Sequence, residues 1–329
     1  MSRTIKITKG LDVRLFGEAK PEVVETTVGE YAIKPEDFVA LTPKLLVEEG
    51  DKVKAGTPIF YAKGEERLKF VSPVSGTIAA VIRGEKRVIK SIRIVPDGKE
   101  EYEDFSKESL SAMSAEQVKD KMLASGVWTL LRQRPYSTIP NPDTKPKCIV
   151  ISGFSSAPLA PDYAVLLKGE RAAMQVGVDV LRKLTDGIVH LNVHSSISRT
   201  DELLKLENVQ INTFEGKHPC GNVSVQIEKL APINKGERIW YLDAQDLAVI
   251  GKLFMEGRYV ADKIVALTGG EVFHPQYYKV KRGASIASLI YNNTTANPLR
   301  FISGNVLTGT KIEKDGFISY YDNQVTVIK

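Results

Sequence analysis

The residues between Val127 and Tyr136 have side chains that together could hold a flat, apolar ligand. They combine aromatic, aliphatic, cationic and turn-forming types: Trp128, Leu130, Leu131, Arg132, Arg134, Pro135 and Tyr136. Aromatic and aliphatic side chains can form the walls of an apolar slot, and guanidinium groups can form its cationic rim. The alternative is that Trp128 and Leu131 belong to the hydrophobic core while both arginines face solvent.

A second group of chemically capable side chains lies in a loop around His218. The segment 214–222 is rich in turn-forming residues, and both His218 and Gly221 stand within it. A histidine can act as a metal ligand or a general base, but no second histidine, cysteine or carboxylate stands at metal-ligand spacing. We therefore predict a structural or positioning role for His218 and Gly221, with no metal site and no catalytic residue.

The elements that must position these residues begin with a βαβ unit. Lys147–Ser152 and Ile188–Val193 are short apolar runs typical of buried parallel strands, and apolar residues recur at helical spacing from Arg171 onward. The loop after the first run has one glycine where a dinucleotide-binding loop has three, and Pro158 and Pro161 remove backbone N–H groups that a pyrophosphate needs. The pattern predicts a Rossmann-like α/β domain without a nucleotide fingerprint.

The first hundred residues contain two similar halves that predict a small flattened β-barrel. Segments 50–56 and 72–76 carry the patterns Gly-Asp-x-Val-x-x-Gly and Ser-Pro-x-x-Gly, which resemble those of biotinyl and lipoyl carrier domains. Such domains present a lysine for modification at the tip of the intervening hairpin. Since the hairpin 63–67 lacks the lysine motifs of those carriers, we predict a structural barrel with no covalently bound cofactor.

The remaining segments complete a multidomain α/β protein. Ser114 and Gln117 are spaced to form a capping box, which predicts a helix that ends at Gly126. The predicted domains are a biotinyl/lipoyl-like β-barrel with the N-terminal strand (1–100), a linker and helix with the candidate loop (101–146), the Rossmann-like domain (147–257) and a small α+β domain (258–329). Because the chain stops inside a strand-like run, we expect the native protein to continue beyond Lys329.

Composition indicates an ordinary globular protein and argues against one class of partner, nucleic acid. Of the 329 residues, 43% are hydrophobic and 26% charged, and the formal net charge is +5. Lysine and arginine are interleaved with acidic residues instead of forming a basic stripe, which argues against nucleic acid as a partner. Two cysteines favour a reducing compartment such as the cytoplasm. No apolar run approaches the roughly 18 residues of a transmembrane helix, so at a membrane other subunits would have to hold this chain.

Six short sequence motifs occur in the same order as in one protein family. They are Ile5–Asp12, Phe70–Gly76, Ser125–Trp128, Arg132–Pro135, His218–Gly221 and Ile302–Gly309. Together they resemble the A subunit of the sodium-translocating NADH:quinone oxidoreductase, with Cys220 where that family usually has alanine. More distantly, the chain is similar to the C subunit of the Rnf electron-transfer complex and to the FMN-carrying subunit of respiratory complex I. The first resemblance covers the whole chain.

This resemblance implies a fold, a substrate and partners. For residues 258–329 it implies a β-grasp domain similar to soluble ligand-binding domains, and it implies a further helical domain at the C-terminus. It implies a peripheral subunit at the cytoplasmic face of the bacterial inner membrane, bound to other subunits, some membrane-embedded, of a complex that oxidises NADH, reduces quinone and exports sodium ions. The candidate quinone contacts are then Trp128, Leu131, Arg132, Arg134, Pro135 and Tyr136.

Comparison with the flavin carriers predicts that this subunit holds neither FMN nor an iron–sulfur cluster. In those proteins a glycine-rich loop brings backbone N–H groups close to the flavin. The corresponding segment here, 126–136, has bulky residues where close approach requires glycine, and two cysteines are too few for a cluster. Two alternatives remain open: an Rnf-like electron-transfer or FMN-binding subunit, and a docking subunit with no ligand.

Overall fold

The computed structural model describes residues 3–296 and 298–329, which divide into two compact units. The β-rich unit comprises Val13–Glu103, Ala157–Leu166 and Val260–Lys329. The α/β unit comprises the other described residues, 3–12, 104–156 and 167–259. Each unit is therefore assembled from distant parts of the sequence.

Strands and helices are numbered along the chain. The strands are β1 (Arg3–Ile7), β2 (Lys20–Glu25), β3 (Tyr31–Ile33), β4 (Pro43–Leu45), β5 (Lys52–Val53), β6 (Pro58–Ala62), β7 (Glu65–Val71), β8 (Gly76–Arg83), β9 (Ile89–Pro96), β10 (Arg132–Arg134), β11 (Ile149–Ser152), β12 (Val189–His194), β13 (Gln210–Gly216), β14 (Ile239–Asp243), β15 (Asp262–Thr268), β16 (Gln276–Lys281), β17 (Arg300–Ser303), β18 (Thr310–Ile312) and β19 (Gln324–Ile328). The α-helices are α1 (Ala115–Ala124), α2 (Tyr163–Leu166), α3 (Arg171–Leu184), α4 (Val223–Leu230), α5 (Ala244–Glu256) and α6 (Ala287–Ile290).

The α/β unit is built on one mixed sheet with the strand order β1-β13-β12-β11-β14-β10. All neighbouring pairs are parallel except β10 with β14, which is antiparallel. The βαβ unit predicted from the sequence is present, because β11 and β12 pair in parallel and α3 connects them. Most of their residues are buried on both faces, as expected for central parallel strands.

Helices α3 and α5 cross at very short distance on one face of this sheet. A Cβ added at Gly251 would lie 1.7 Å from the Ala173 carbonyl oxygen, and one at Gly177 would lie 2.4 Å from the Leu247 carbonyl oxygen. Glycine is therefore needed at both contacts.

Helix α1 begins with the predicted capping box at Ser114. The shorter helix α4 packs on a cluster that includes Cys148, Val150 and Tyr241.

The N-terminal strand lies in the α/β sheet, although the sequence suggested that it belongs with the barrel. β1 pairs in parallel with β13, with Ile5 opposite Phe214. The physical reason is apolar burial, since Ile5 and Ile7 pack against the cluster of Phe154, Phe214 and Cys220. A pairing across about two hundred residues leaves no local signal in the sequence.

The β-rich unit contains the barrel expected from the two similar halves. Its two sheets have the orders β3-β9-β8-β5 and β4-β6-β7. The strands of these two sheets bury large apolar side chains: Ile59, Phe60, Phe70, Ile78, Ile92 and Ile94. The hairpin between β6 and β7 turns at Gly64, whose φ is +91°, and Lys63 beside it is exposed.

A third sheet in the same unit has the order β18-β17-β19-β15-β16-β2. It includes the predicted C-terminal strands, and β2 from the N-terminal region forms one of its edges. The segment Ala157–Leu166 belongs to this unit too: the Gln324 side chain donates to the Pro158 carbonyl at 3.1 Å, and the Asp162 N–H donates to the Tyr277 hydroxyl at 2.8 Å.

Consequently the segment that follows β11 does not lead directly into a helix. In a nucleotide-binding fold the corresponding loop is short and places a phosphate on the helix N-terminus. Here the chain leaves the α/β unit after Ser156 and returns at Leu167. Within the described residues, no helix combines the length and the apolarity that crossing a membrane requires.

Candidate functional site

The candidate stretch forms a short turn followed by an edge strand. Gly126 adopts φ +77° after α1, and a single 3-10 turn over Val127–Leu130 leads into β10. Because β10 is the last strand of the sheet, one side of it pairs with β14. On the other side, the Gln133 N–H donates to the Thr138 carbonyl at 2.8 Å, so the chain folds back over the edge.

Trp128 and Leu131 lie in the hydrophobic core. Their exposed fractions are 1% and 0%. The Trp128 indole N–H donates to the Pro140 carbonyl at 2.9 Å, and its ring meets Trp240 edge-on with centroids 5.3 Å apart. The sequence left open whether these two side chains were walls of a slot or core. The structure places both in the core, behind β10.

Arg132 and Arg134 are half-buried and stack on one aromatic ring. Their guanidinium carbons lie 4.7 and 5.1 Å from the centroid of Tyr241, within the range of a cation–π contact. The Tyr241 hydroxyl lies 3.0 Å from Ser137 Oγ. In the described part of the chain, Arg134 makes no salt bridge, and its Nε is buried without a hydrogen-bond partner. This face of β10 therefore carries concentrated positive charge.

Pro135 and Tyr136 are the exposed members of the stretch. Tyr136 has 75% of its surface exposed, and Pro135 before it is also exposed. An exposed tyrosine offers a flat apolar face that costs little to cover. The accessible part of the predicted site thus consists of two arginines, a proline and a tyrosine.

Sequence reasoning missed two residues beside the arginines, Gln133 and Trp240. They face each other across β10 and β14, on the side of the sheet opposite to Arg132 and Arg134. Among the described residues, neither Gln133 Oε1 nor the Trp240 indole nitrogen has a hydrogen-bond partner, although both atoms are buried. Side chains alternate between the two faces of a strand, so the sequence could place Gln133 on the face opposite to the arginines. It could not show that β14, with Trp240, pairs with this strand.

His218 and Gly221 hold together loops at the opposite end of the sheet. The His218 N–H donates to Asp12 Oδ1 at 3.0 Å, and its ring Nδ1 lies 3.1 Å from Ser156 Oγ. The Gly221 N–H donates to the same Ser156 oxygen at 2.8 Å. Three strands separate β13 from β10, a distance of roughly 19 Å at about 4.8 Å per strand. The structure therefore does not bring His218 together with the candidate quinone contacts.

A buried polar network crosses the sheet beneath α4. Asn212 Nδ2 donates to Asn192 Oδ1 at 3.0 Å, and Asn192 Nδ2 donates to Gln226 Oε1 on α4 at 2.9 Å. The same Asn212 nitrogen lies 3.2 Å from His190 Nδ1. Burial, helped by the charge of Arg3, lowers the pKa of His190 to about 4. The polar residues at alternate positions of β12 and β13 were the available signal in the sequence.

The α5 N-terminus lies where parallel β11 and β14 meet, a usual place for ligands in such sheets. In this chain the N-terminus of α5 carries two carboxylates of its own. Asp243 caps the helix by accepting from the Gln245 N–H at 2.9 Å, and Asp246 is buried in the first turn. These carboxylates use the positive end of the helix dipole that would otherwise attract a phosphate. In the described ranges, no group of three or more His, Cys, Asp and Glu residues is placed to hold a metal ion.

Comparisons with known proteins cover almost the whole chain. Three family models match: the NqrA N-terminal barrel-sandwich hybrid domain at residues 5–97, the NqrA second alpha/beta domain at 113–259 and the NQRA C-terminal domain at 264–314. They confirm the predicted fold class of a barrel-sandwich hybrid joined to an α/β domain and a smaller third domain.

Curated relatives match almost the whole of this chain and about three quarters of their own length. The A subunit of the Na(+)-translocating NADH-quinone reductase of Yersinia pseudotuberculosis is 37% identical over 99% of this chain and 73% of its own length. The protein of that name from Glaesserella parasuis is 35% identical over 98% of this chain and 73% of its own length. Among solved structures, an NAD+-reducing [NiFe]-hydrogenase aligns over 68% of this chain and 51% of its own, with 13% identity and a TM-score of 0.44. The chain belongs to the family of the A subunit of the Na(+)-translocating NADH-quinone reductase.

Proposed function

We propose that this chain is a peripheral subunit of a membrane complex that oxidises NADH, reduces quinone and exports sodium ions. The relatives support this through their name, which joins sodium translocation to NADH-quinone reduction. In this proposal the chain lies at the cytoplasmic face of the bacterial inner membrane. Other subunits, some of them embedded in the membrane, hold it there and carry the electrons from NADH.

The contribution of this subunit is to bind quinone at the β10 edge. A quinone ring is flat and apolar with two carbonyl acceptors, so its site needs an aromatic or aliphatic surface and donors near the ring ends. The exposed Tyr136 and Pro135 supply the surface, and Arg132 and Arg134 supply donors. The observation that carries the proposal is the pair of guanidinium groups stacked on Tyr241 next to an exposed proline and an exposed tyrosine.

Positive charge at this edge favours the reduced forms of a quinone. A semiquinone or quinol anion gains a charge-assisted hydrogen bond from each guanidinium, worth about 1.5–3 kcal/mol when shielded from water. Stacking on Tyr241 keeps both guanidinium groups in place before the ligand arrives, which reduces the entropy lost on binding. Trp128 and Leu131 contribute from the hydrophobic core, where their packing keeps β10 rigid.

The same proposal assigns neither FMN nor an iron–sulfur cluster to this subunit. The segment where flavin carriers have glycines is filled by the Trp128 and Leu131 side chains. The segment after β11 leads away from the α/β unit, and carboxylates occupy the α5 N-terminus. A visible spectrum of the pure protein should therefore lack a flavin band. A band close to stoichiometric occupancy would replace this proposal with the FMN-binding alternative.

Tryptophan fluorescence tests quinone binding, because the two tryptophans of the chain, Trp128 and Trp240, both lie beside β10. Titration with a short-chain ubiquinone analogue should give saturable quenching. Arg134→Gln and Tyr136→Ala should each weaken binding by about 1–2 kcal/mol without lowering the melting temperature. Tyr291→Ala, at an equally exposed tyrosine of the β-rich unit, is the matched control and should bind normally. Quenching that never saturates, or an equal loss in the control, would contradict the assignment.

A further inference from the structure

Two buried polar atoms without partners belong to residues that are paired across β10 and β14. Gln133 and Trp240 are directly opposite in the antiparallel register. Such residues have Cβ atoms about 4.5–5.5 Å apart, so their side chains share one small region. Within the described residues, Gln133 Oε1 and the Trp240 indole N–H have no hydrogen-bond partner. Native proteins rarely leave a buried donor and a buried acceptor unsatisfied side by side, which points to an oxygen atom from outside the chain.

The Gln133 amide can form a hydrogen bond to such an oxygen atom in either of its two flipped orientations. Its nitrogen lies 3.1 Å from Thr138 Oγ1, and a hydroxyl can either donate or accept, so the bond to Thr138 survives when the amide turns over. In the orientation of this structure, Gln133 and Trp240 present one acceptor and one donor, which together match a hydroxyl. In the other orientation they present two donors, which together match a carbonyl oxygen.

We propose that Gln133 and Trp240 together bind one ring oxygen of the quinone, as a carbonyl in the oxidised form and as a hydroxyl in the reduced form. This inference rests on the proposed function and adds two ligand-binding residues to its site. Gln133 is half-buried, so the ligand approaches along its side chain.

The indole N–H groups of the two tryptophans provide the test in the unmodified chain. Trp128 donates to the Pro140 carbonyl and is an internal reference for a hydrogen-bonded indole. In a proton–nitrogen spectrum of protein labelled at the indole nitrogen, the Trp240 proton should resonate upfield of the Trp128 proton. A short-chain ubiquinone should move it downfield and leave Trp128 in place. A Trp240 signal that already lies beside that of Trp128 and does not move would mean a bound water only, and would overturn the proposal.

Variants separate this inference from the proposed function. Gln133→Met should lower quinone affinity about 10-fold, the scale of one ligand hydrogen bond, and should reduce the Trp240 shift. Gln175→Met, at a half-buried glutamine of α3, is the matched control and should change neither. If quinone quenches the fluorescence with normal affinity in Gln133→Met, the Gln133 assignment is wrong while the proposed function stands. If quinone does not bind the unmodified chain at all, the proposed function itself fails.

Discussion

At the residue scale, the stretch from Trp128 to Tyr136 divides according to which way the backbone directs each side chain. The core alternative is correct for Trp128 and Leu131, whereas ligand contact by the exposed members stays a prediction. Residue types alone could not separate these groups. The side chains that cover Trp128 and support Arg134, namely Trp240 and Tyr241, lie more than a hundred residues further along the chain.

Replacing Trp128 should therefore affect stability before it affects a ligand. Trp128→Ala removes a fully buried indole and its hydrogen bond to Pro140, and should lower the free energy of unfolding by about 3–5 kcal/mol. Tyr136→Ala, at a largely exposed position, should change it by less than about 0.5 kcal/mol. Urea unfolding followed by circular dichroism measures both. Equal stability of the two variants would place Trp128 outside the core.

Protonation of His190 should make stability fall in mild acid. Its folded pKa of about 4 lies below the ordinary value of about 6.5, because burial disfavours the imidazolium. The unfolded chain therefore takes up a proton first, so the stability present above pH 6.5 declines as the pH falls from about 6.5 towards about 4, by about 3 kcal/mol at most.

A non-titrating variant isolates this effect. His190→Asn keeps an acceptor for the Asn212 amide but cannot take up a proton. Urea unfolding at a series of pH values should show a flatter profile for the variant than for the unmodified chain between about pH 6.5 and about pH 4. Identical slopes would mean that folding does not lower the pKa of His190.

At the element scale, local patterns predicted the elements well and their pairing less well. The strands and helix of the βαβ unit and the α1 capping box follow from apolar periodicity and cap residues. The place of β1 beside β13, and of β2 beside β16, depends on contacts across two hundred residues or more. Such contacts depend on which apolar faces of the folded sheets remain uncovered. A short stretch of sequence carries no information about this.

The crossing of α3 and α5 should be the most substitution-sensitive contact between elements. In Gly251→Ala the new methyl would lie 1.7 Å from the Ala173 carbonyl oxygen, so the helices must separate. We expect a loss of about 3 kcal/mol or more, measured by thermal and urea unfolding. Gly270→Ala, where a Cβ meets no heavy atom within 4 Å, is the control and should be neutral. A neutral Gly251→Ala would mean that the two helices can adjust freely.

At the scale of the whole molecule, the chain crosses between its two units instead of filling one domain after another. The order of the domains could be anticipated from composition and from short motifs. The excursion of Ala157–Leu166 into the β-rich unit could not, because its anchors at Gln324 and Tyr277 have no counterpart in the local sequence. The predicted domain boundaries, which are continuous stretches, stay a prediction about folding units.

The barrel should carry no biotin or lipoate attached covalently to a lysine. Lys63 is exposed at the hairpin between β6 and β7, but the flanking residues lack the motifs that modifying ligases recognise. Intact mass after coexpression with biotin or lipoate ligase should equal that of the unmodified sequence. A mass increase that maps to the Lys63 peptide would reverse this expectation and make the barrel a carrier.

Quinone contact at the β10 edge is the central claim, and photoaffinity labelling in the assembled complex tests it most directly. An azido-quinone should label this chain within residues 132–138, and excess unlabelled quinone should suppress the labelling. The loop of His218, roughly 19 Å away across the sheet, should stay unlabelled and serves as the internal control. Competed labelling at the His218 loop, or only on other subunits of the complex, would contradict this claim.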